Sequence, residues 1–435
     1  MRSTSTLRRR LLTRDARVAV VGQGYVGLSL ACAAADAGFT VSGVDVDVER
    51  VRRLSAAEPC VSGVAEDTFR RGLATGRLRF ATGGEHLAAS DVICICVPTP
   101  VRDHTPDLTY VEQACRDVAR QLTAGRLVIL ESSTYPGTTT ELVAPLLETS
   151  GQRLGRDFLL AYSPERIDPG NQEFDFANIP RIVGGTSGEA TAVAALFYEQ
   201  MVEKVVTLSS ARAAELAKLL ENTFRHVNIA LVNEVAMLCH DLGIDVWEVL
   251  AAAATKPFGY MAFTPGPGVG GHCIPLDPTY LAWQVRRDAG RQFRILEQAQ
   301  DINAQMPSWV AARIGEALNQ QTKPLKKARV LVLGVAYKPD VGDIRESPPL
   351  RVMSALARHG ARIAFHDPFV AAVTIDGKKL ARTELTARAV AGADLVALLT
   401  PHRSYDLDWL AATAGLLFDA RNAFGPEDRP NLIRL

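Results

Sequence analysis

The sequence has no net charge. Its 48 Lys plus Arg are balanced by 48 Asp plus Glu, so no global field draws the chain to nucleic acid or to an acidic lipid surface. An anionic ligand must be met by local cations. Uninterrupted apolar runs of membrane-spanning length are also missing. The best candidate, Val18 to Ala37, is broken by Gly22, Gly24, Gly27 and Asp36, which excludes a transmembrane helix there. The preceding Arg8-Arg9-Arg10 imitates a signal peptide, but the glycines and a strand-to-helix switch fit a nucleotide fold better. Residues 1–14 read as a loose, basic, disordered extension. Cysteines are few, seven in all and scattered. An odd, dispersed set argues against a disulfide framework and for a reducing compartment. No spacing matches a zinc cluster. Cys94 and Cys96 lie in the strand-like run Asp91–Val97, alternate onto one face, and read as buried thiols rather than a metal pair. The expectation is a cytoplasmic protein with no metal, no nucleic-acid partner and no membrane partner.

What is present is apolar material for several cores. At 435 residues and 47% apolar content, the chain is long enough for roughly two to three domains. Near-continuous apolar strands separated by helices recur at 17–21, 40–44, 91–97, 127–131, 159–163 and 181–183, the pattern of a parallel sheet covered on both faces. From Ala211 to Leu242 the period changes to that of one long helix, and 281–320 is largely helical. Strand character returns at 328–337, 362–366, 394–400 and 415–419. The fold class is α/β: two parallel-sheet domains joined by a central helical region with one long helix.

The turn Gly22-Gln-Gly24-Tyr25-Val26-Gly27 follows a strand and opens a helix. Asp45 ends the next strand, close to the ~20-residue spacing of a ribose-binding acid. Gly22 allows the tight turn, Gly24 lets backbone N–H groups approach a pyrophosphate, and Gly27 lets helix and strand pack closely. Asp45 accepts from ribose hydroxyls and repels a 2′-phosphate, so NAD is preferred over NADP. Both sheets are therefore expected to be Rossmann-like. The second lacks the G-x-G-x-x-G turn and is not expected to hold the dinucleotide.

Cys273 sits in the loop Pro265-Gly-Pro-Gly-Val-Gly270-Gly-His272-Cys273-Ile-Pro-Leu-Asp277. Such a segment supplies backbone N–H groups for oxyanions. A hydride acceptor alone stops at a carbonyl, whereas a thiol beside it captures the aldehyde and carries it on to an acid. Lys218, Asn222 and Arg225 fall at i, i+4 and i+7, on one face of the long helix. Val97–Pro100, Glu131–Gly137 and Ala161–Gly170 follow strands, where open α/β sheets bind ligands.

Together these stretches resemble the UDP-glucose/GDP-mannose dehydrogenase family from about residue 16 to the end. The carriers are Gly22-x-Gly24-Tyr-Val-Gly27, Ser133-Thr134, Ser163-Pro-Glu165, Glu215-Leu-x-Lys218-x-x-x-Asn222, Gly270-Gly-His-Cys273-x-Pro-x-Asp277, and Tyr337-Lys338-Pro-Asp-Val-Gly-Asp-Ile-Arg345-Glu-Ser347. The resemblance implies an NAD-binding domain (15–208), a central helical domain (209–318) and a UDP-sugar-binding domain (319–435), usually as a homodimer built on the long helix. It implies Cys273 as the thiol of a thiohemiacetal and thioester, Lys218 and Asn222 as oxyanion stabilisers, Asp277 and Thr134 as partners of a reacting water, and Glu165 as the acid assisting hydrolysis. Arg50, Thr99, Ser133 and Arg345 match cofactor contacts, and Lys338 and Arg421 match substrate contacts. Arg166, Arg225, Tyr260, Gly270 and His272 are further substrate-side candidates. Where UDP-glucose dehydrogenases often carry a second Glu four residues after the match to Glu165, this chain has Pro169. With that departure, the segment 163–171 and the loop 263–275 resemble the branch acting on UDP-N-acetylhexosamines, especially UDP-N-acetylglucosamine, with UDP-glucose and the N-acetylmannosamine and N-acetylgalactosamine sugars as alternatives.

Overall fold

The computed structural model describes residues 2–58, 66–102, 105–168, 171, 173–271, 273–427 and 429–435, with only the backbone of residues 2 and 3. The chain divides into two compact units, Met1–Glu221 with Thr279–Gly290, and Asn222–Pro278 with Arg291–Leu435.

The first unit is built on an eight-stranded sheet. Its spatial order is Val205–Leu208, Arg181–Gly185, Phe158–Tyr162, Arg126–Leu130, Val92–Ile95, Arg17–Val21, Thr40–Val44, Leu78–Ala81. The pairings are parallel except one: Phe158–Tyr162 meets Arg181–Gly185 antiparallel, so the expected all-parallel sheet has a reversed edge pair. Arg17–Val21 lies between Thr40–Val44 and Val92–Ile95. Chain order reverses there, and the carboxyl ends of these strands open a crevice. Helix Tyr25–Asp36 follows, its Ala-rich body buried, and Gly38 stops it at a positive φ.

The N-terminal segment differs from its expected disorder. Arg2–Leu12 is a helix. Leu7 and Leu11, one turn apart, are buried in the core of this unit, and Arg10 pairs with Asp91 at 2.5 Å. The arginine run masked an i, i+4 apolar pair that is enough to dock a helix.

The second unit carries a five-stranded parallel sheet in the order Arg362–His366, Arg329–Leu333, Leu395–Leu398, Leu417–Asp419, Leu432–Arg434. The last strand and the hairpin Ala372–Ile375 with Lys378–Ala381 carry too little period to be read from sequence. Helix Arg294–Gln320 accommodates Pro307 in its interior.

The long helix is Ala211–Leu242, with the bounds read from its period. The division between the units falls within it. Among the described residues no helix is long and apolar enough to cross a membrane.

Candidate active site

The dinucleotide turn is built as its glycines require. Gly22 has φ +90°, and a Cβ there would lie 2.5 Å from Cys96 O. A Cβ at Gly27 would collide with the Gly22 carbonyl, so only glycine lets this helix sit so close to the turn. A Cβ at Gly24 would meet nothing within 4 Å. The turn is open on that side, and the helix start beginning at Tyr25 and Val26 has no side-chain cap. Backbone amides of a helix start beside an open turn are what a diphosphate needs, so the residues fit NAD. Asp45 is buried and accepts from Gln23 N at 2.7 Å and Asp47 N at 2.9 Å, with Arg50 Nη1 at 3.1 Å. Thr99 is buried, and its carbonyl accepts from Tyr280 Oη at 2.5 Å. Ser133 is half-buried beside Thr134. Arg345, the remaining cofactor candidate, belongs to the second unit.

The second sheet repeats this hydrogen-bond pattern with the first glycine but without the second and third. Gly334, at φ +78°, follows Arg329–Leu333 as Gly22 follows Arg17–Val21. Gly22 N donates to Val44 O at 2.8 Å, and Gly334 N to His366 O at 2.9 Å. Asp367 stands where Asp45 stands, accepting from Val335 N at 2.8 Å and Phe369 N at 2.9 Å. The two turns then diverge. Lys338-Pro339 replaces the helix start, and the next helix begins only at Pro348. A pyrophosphate finds no helix N-terminus directly after this turn, and a lysine stands there instead.

In the second unit, Cys273 is the exposed member of the described cysteines, and Cys32, Cys94, Cys96, Cys115 and Cys239 are buried. Burial pushes the Cys32 and Cys115 thiols up to about 12, which leaves them inert as nucleophiles. Asp277 N donates to Cys273 O at 2.9 Å. Asn222 Nδ2 donates to Asp277 Oδ2 at 2.5 Å, both side chains buried. Gly271 N donates to Arg345 O at 3.0 Å, which ties the thiol loop to the Tyr337–Ser347 loop. A Cβ at Gly270 would press on Pro348, Glu346 and Tyr337, so only glycine lets these loops meet. Arg345 is held by Asp343 at 2.6 Å. That bond foremost, and weaker influences including Cys273, raise the affinity of its guanidinium for the proton. Arg421 lies against Gly266. Burial pushes its guanidinium down to about 10, with Asp419 opposing, and such a desolvated cation suits an anionic ligand. Lys338 is partly exposed, and Tyr260 and Arg225 are exposed. His272 lies outside the described residues.

Under the thiol loop is a polar chain that sequence reasoning missed. Gly266 N donates to Asn233 Oδ1 at 3.0 Å, Asn233 Nδ2 to Asn303 Oδ1 at 2.9 Å, and Asn303 Nδ2 to His226 O at 3.1 Å. Burial lowers His226 from its ordinary 6.5 to about 4, with the Ile274 backbone opposing. Because the folded value is depressed, the neutral ring's contribution to stability is complete above pH 6.5. It is lost as pH falls through about 4. The melting temperature of the protein is expected to fall more steeply between these limits than that of His226→Gln. Parallel slopes would refute this.

The first unit holds the other candidates. Lys218 is 7% exposed, and Glu215, one turn earlier, accepts from Gly137 N at 2.5 Å and Thr139 N at 2.8 Å. Lys218 and Asn222 sit on the buried side of the long helix. Arg225 was expected with them but is exposed, because it turns off the arc of the helix that buries Asn222, Thr223 and His226. Thr134 is buried, and its hydroxyl has no hydrogen-bond partner among the described residues. Glu165 accepts from Arg166 N at 2.6 Å and Ile167 N at 2.8 Å, and pairs with Arg181 at 2.7 Å. Arg181 also pairs with Glu131, which accepts from Tyr198 Oη at 2.5 Å. Burial, only partly offset by Arg181, moves the Glu131 carboxyl up to about 6. The Arg166 side chain spans Glu221 at 2.8 Å and Pro180 O at 2.5 Å. Glu131 ends a strand, a position that marks it. Arg181 begins an apolar strand and gave no sign of its role.

Sequence profiles of the UDP-glucose/GDP-mannose dehydrogenase family match three stretches: the NAD binding domain at 16–202, the central domain at 212–305 and the UDP binding domain at 331–426. The chain belongs to this family. It is an NAD-dependent nucleotide-sugar dehydrogenase acting on a UDP-sugar. A UDP-N-acetyl-D-mannosamine dehydrogenase of Pyrococcus horikoshii is 36% identical to it over 90% of this chain and 91% of the relative. The solved structure of a UDP-D-ManNAc dehydrogenase from that organism superposes with a TM-score of 0.87 at 34% identity, covering 96% of this chain and 98% of that one. A UDP-glucose dehydrogenase of Pyrobaculum islandicum gives a TM-score of 0.81 at 29% identity, covering 93% and 94%.

Proposed function

We propose that this dehydrogenase oxidises C6 of a UDP-N-acetylhexosamine by four electrons to the uronate. The observation that carries the reading is the exposed thiol of Cys273 on a loop anchored to the Arg345 segment, with the Asn222–Asp277 pair in the same unit. NAD, when bound, accepts the hydride in each of the two oxidations. The primary alcohol first loses a hydride and a proton to become an aldehyde. The Cys273 thiolate adds to that carbon, forming a thiohemiacetal whose oxyanion is met by the Lys218 ammonium and the Asn222 amide. Loss of a second hydride gives the thioester. Water, held by Thr134 and Asp277 with Glu165 assisting, releases the acid and the thiol.

The sugar follows from two supports. Pro169 stands where UDP-glucose dehydrogenases often have Glu, and the 36%-identical relative acts on UDP-N-acetyl-D-mannosamine. The sequence reading named the N-acetylglucosamine epimer, and the relative shifts first place to N-acetylmannosamine. UDP-glucose stays as the second reading because of the P. islandicum structure. Incubation with NAD and a panel of UDP-sugars tests this. Two NADH per uronate with an N-acetylated sugar is expected, with UDP-glucose slower by about 10–200-fold, the discrimination an apolar methyl pocket supplies. One NADH per product, or faster turnover of UDP-glucose, would refute the reading.

The enzyme works as a homodimer on this proposal. Leu216, Leu220, Phe224, Leu231, Leu238 and Leu242 are 44–62% exposed along the long helix, and the positions 224, 231 and 238 recur at seven-residue intervals. Such a stripe pairs best with a second copy of itself. Light scattering should give twice the chain mass for the enzyme and the single mass for Leu231→Glu/Leu238→Glu. A wild-type monomer would end the idea.

A further inference from the structure

The Tyr337–Ser347 loop of the second unit has an anchor that no motif announces. His402 is buried and bridges two groups. Its Nδ1 accepts from Asp340 N at 2.9 Å, and its Nε2 lies 2.9 Å from Asp367 Oδ2. These two partners assign the proton to Nε2, so the neutral ring donates to the carboxylate and accepts from the loop. Phe369 and Tyr405 flank the ring at 5.2 and 5.6 Å between centroids. Asp340 has φ +61°, a left-handed conformation that a non-glycine residue keeps only when held. The neighbouring Arg403 completes the grip, with its N at 3.0 Å and Nε at 2.5 Å from the Asp340 carboxylate. Asp367, the counterpart of Asp45 in this sheet, thus serves the loop rather than a ribose. Lys338 lies two residues before Asp340 and Arg345 five after it.

We propose that His402 is a positioning residue for substrate binding. It transmits the fixed frame of the Gly334 turn and Asp367 to Asp340, and so presents Lys338 to the diphosphate of the UDP-sugar. The proposal rests on the reading of Lys338 as a phosphate contact. His402→Phe keeps the ring and loses both bonds. It should raise KM for the UDP-sugar by about tenfold or more while kcat and the KM for NAD stay within about twofold. His402→Gln, which retains a donor and an acceptor, should recover most of the affinity. Arg403→Ala, on the exposed side of the clamp, should shift KM the same way by less, and reports even where the Phe variant does not fold. Lys338→Met separates the two ideas. An unchanged KM in Lys338→Met removes the phosphate reading itself. A raised KM there with no change in His402→Gln, His402→Phe or Arg403→Ala overturns the role of His402. So does a fall in kcat together with a rise in both KM values, the mark of general loosening.

Discussion

Cys273→Ser is expected to make no uronate on the timescale of normal turnover, with net acid formation slower by at least about a thousandfold. The serine hydroxyl is far less ionised at neutral pH than a thiol and adds poorly to the aldehyde. Any oxygen ester it forms is a less reactive acyl donor than a thioester. The variant should still bind NAD, because the Gly22 turn and Asp45 lie in the first unit, apart in sequence from the thiol loop. Counting NADH against uronate decides it. Wild-type acid formation by Cys273→Ser, at two NADH per product, would remove the thiol from the mechanism. The five buried cysteines give the control, since mutating Cys115 to Ala should leave turnover nearly unchanged.

Lys218→Met is the second large effect. A methionine of similar length keeps the packing of a side chain that is 7% exposed and removes its charge. On the proposed mechanism the ammonium stabilises an oxyanion that develops only along the reaction path. The loss should therefore fall on kcat, by about 100- to 1000-fold, with little change in KM. Asn222→Ala should cost less in kcat and should also loosen Asp277, its partner at 2.5 Å. A Lys218→Met enzyme whose KM rises while kcat holds would make the lysine a binding group instead.

Much of the dinucleotide turn was readable because its constraints are local. A glycine that must take positive φ, a strand before it, a helix after it and an acid at the next strand end all lie between residues 17 and 45. The long helix was equally plain from its period. The N-terminal helix escaped because its arginines outweighed Leu7 and Leu11. Strand direction escaped too, since nothing in the run Arg181–Gly185 tells which way it pairs with Phe158–Tyr162. Asp367 had a signal that went unread, since it ends its strand as Asp45 does.

Residue types and their short-range spacing pointed to the cofactor, singled out Cys273 as the candidate nucleophile and carried the resemblance to the family, since backbone sterics and thiol chemistry act within a few positions. Tertiary structure alone decided which charges are silent and which are available. Arg181 meets Glu131 across 50 positions and His402 meets Asp340 across 62. Such pairings exist only once burial has stripped water from groups that the chain keeps far apart.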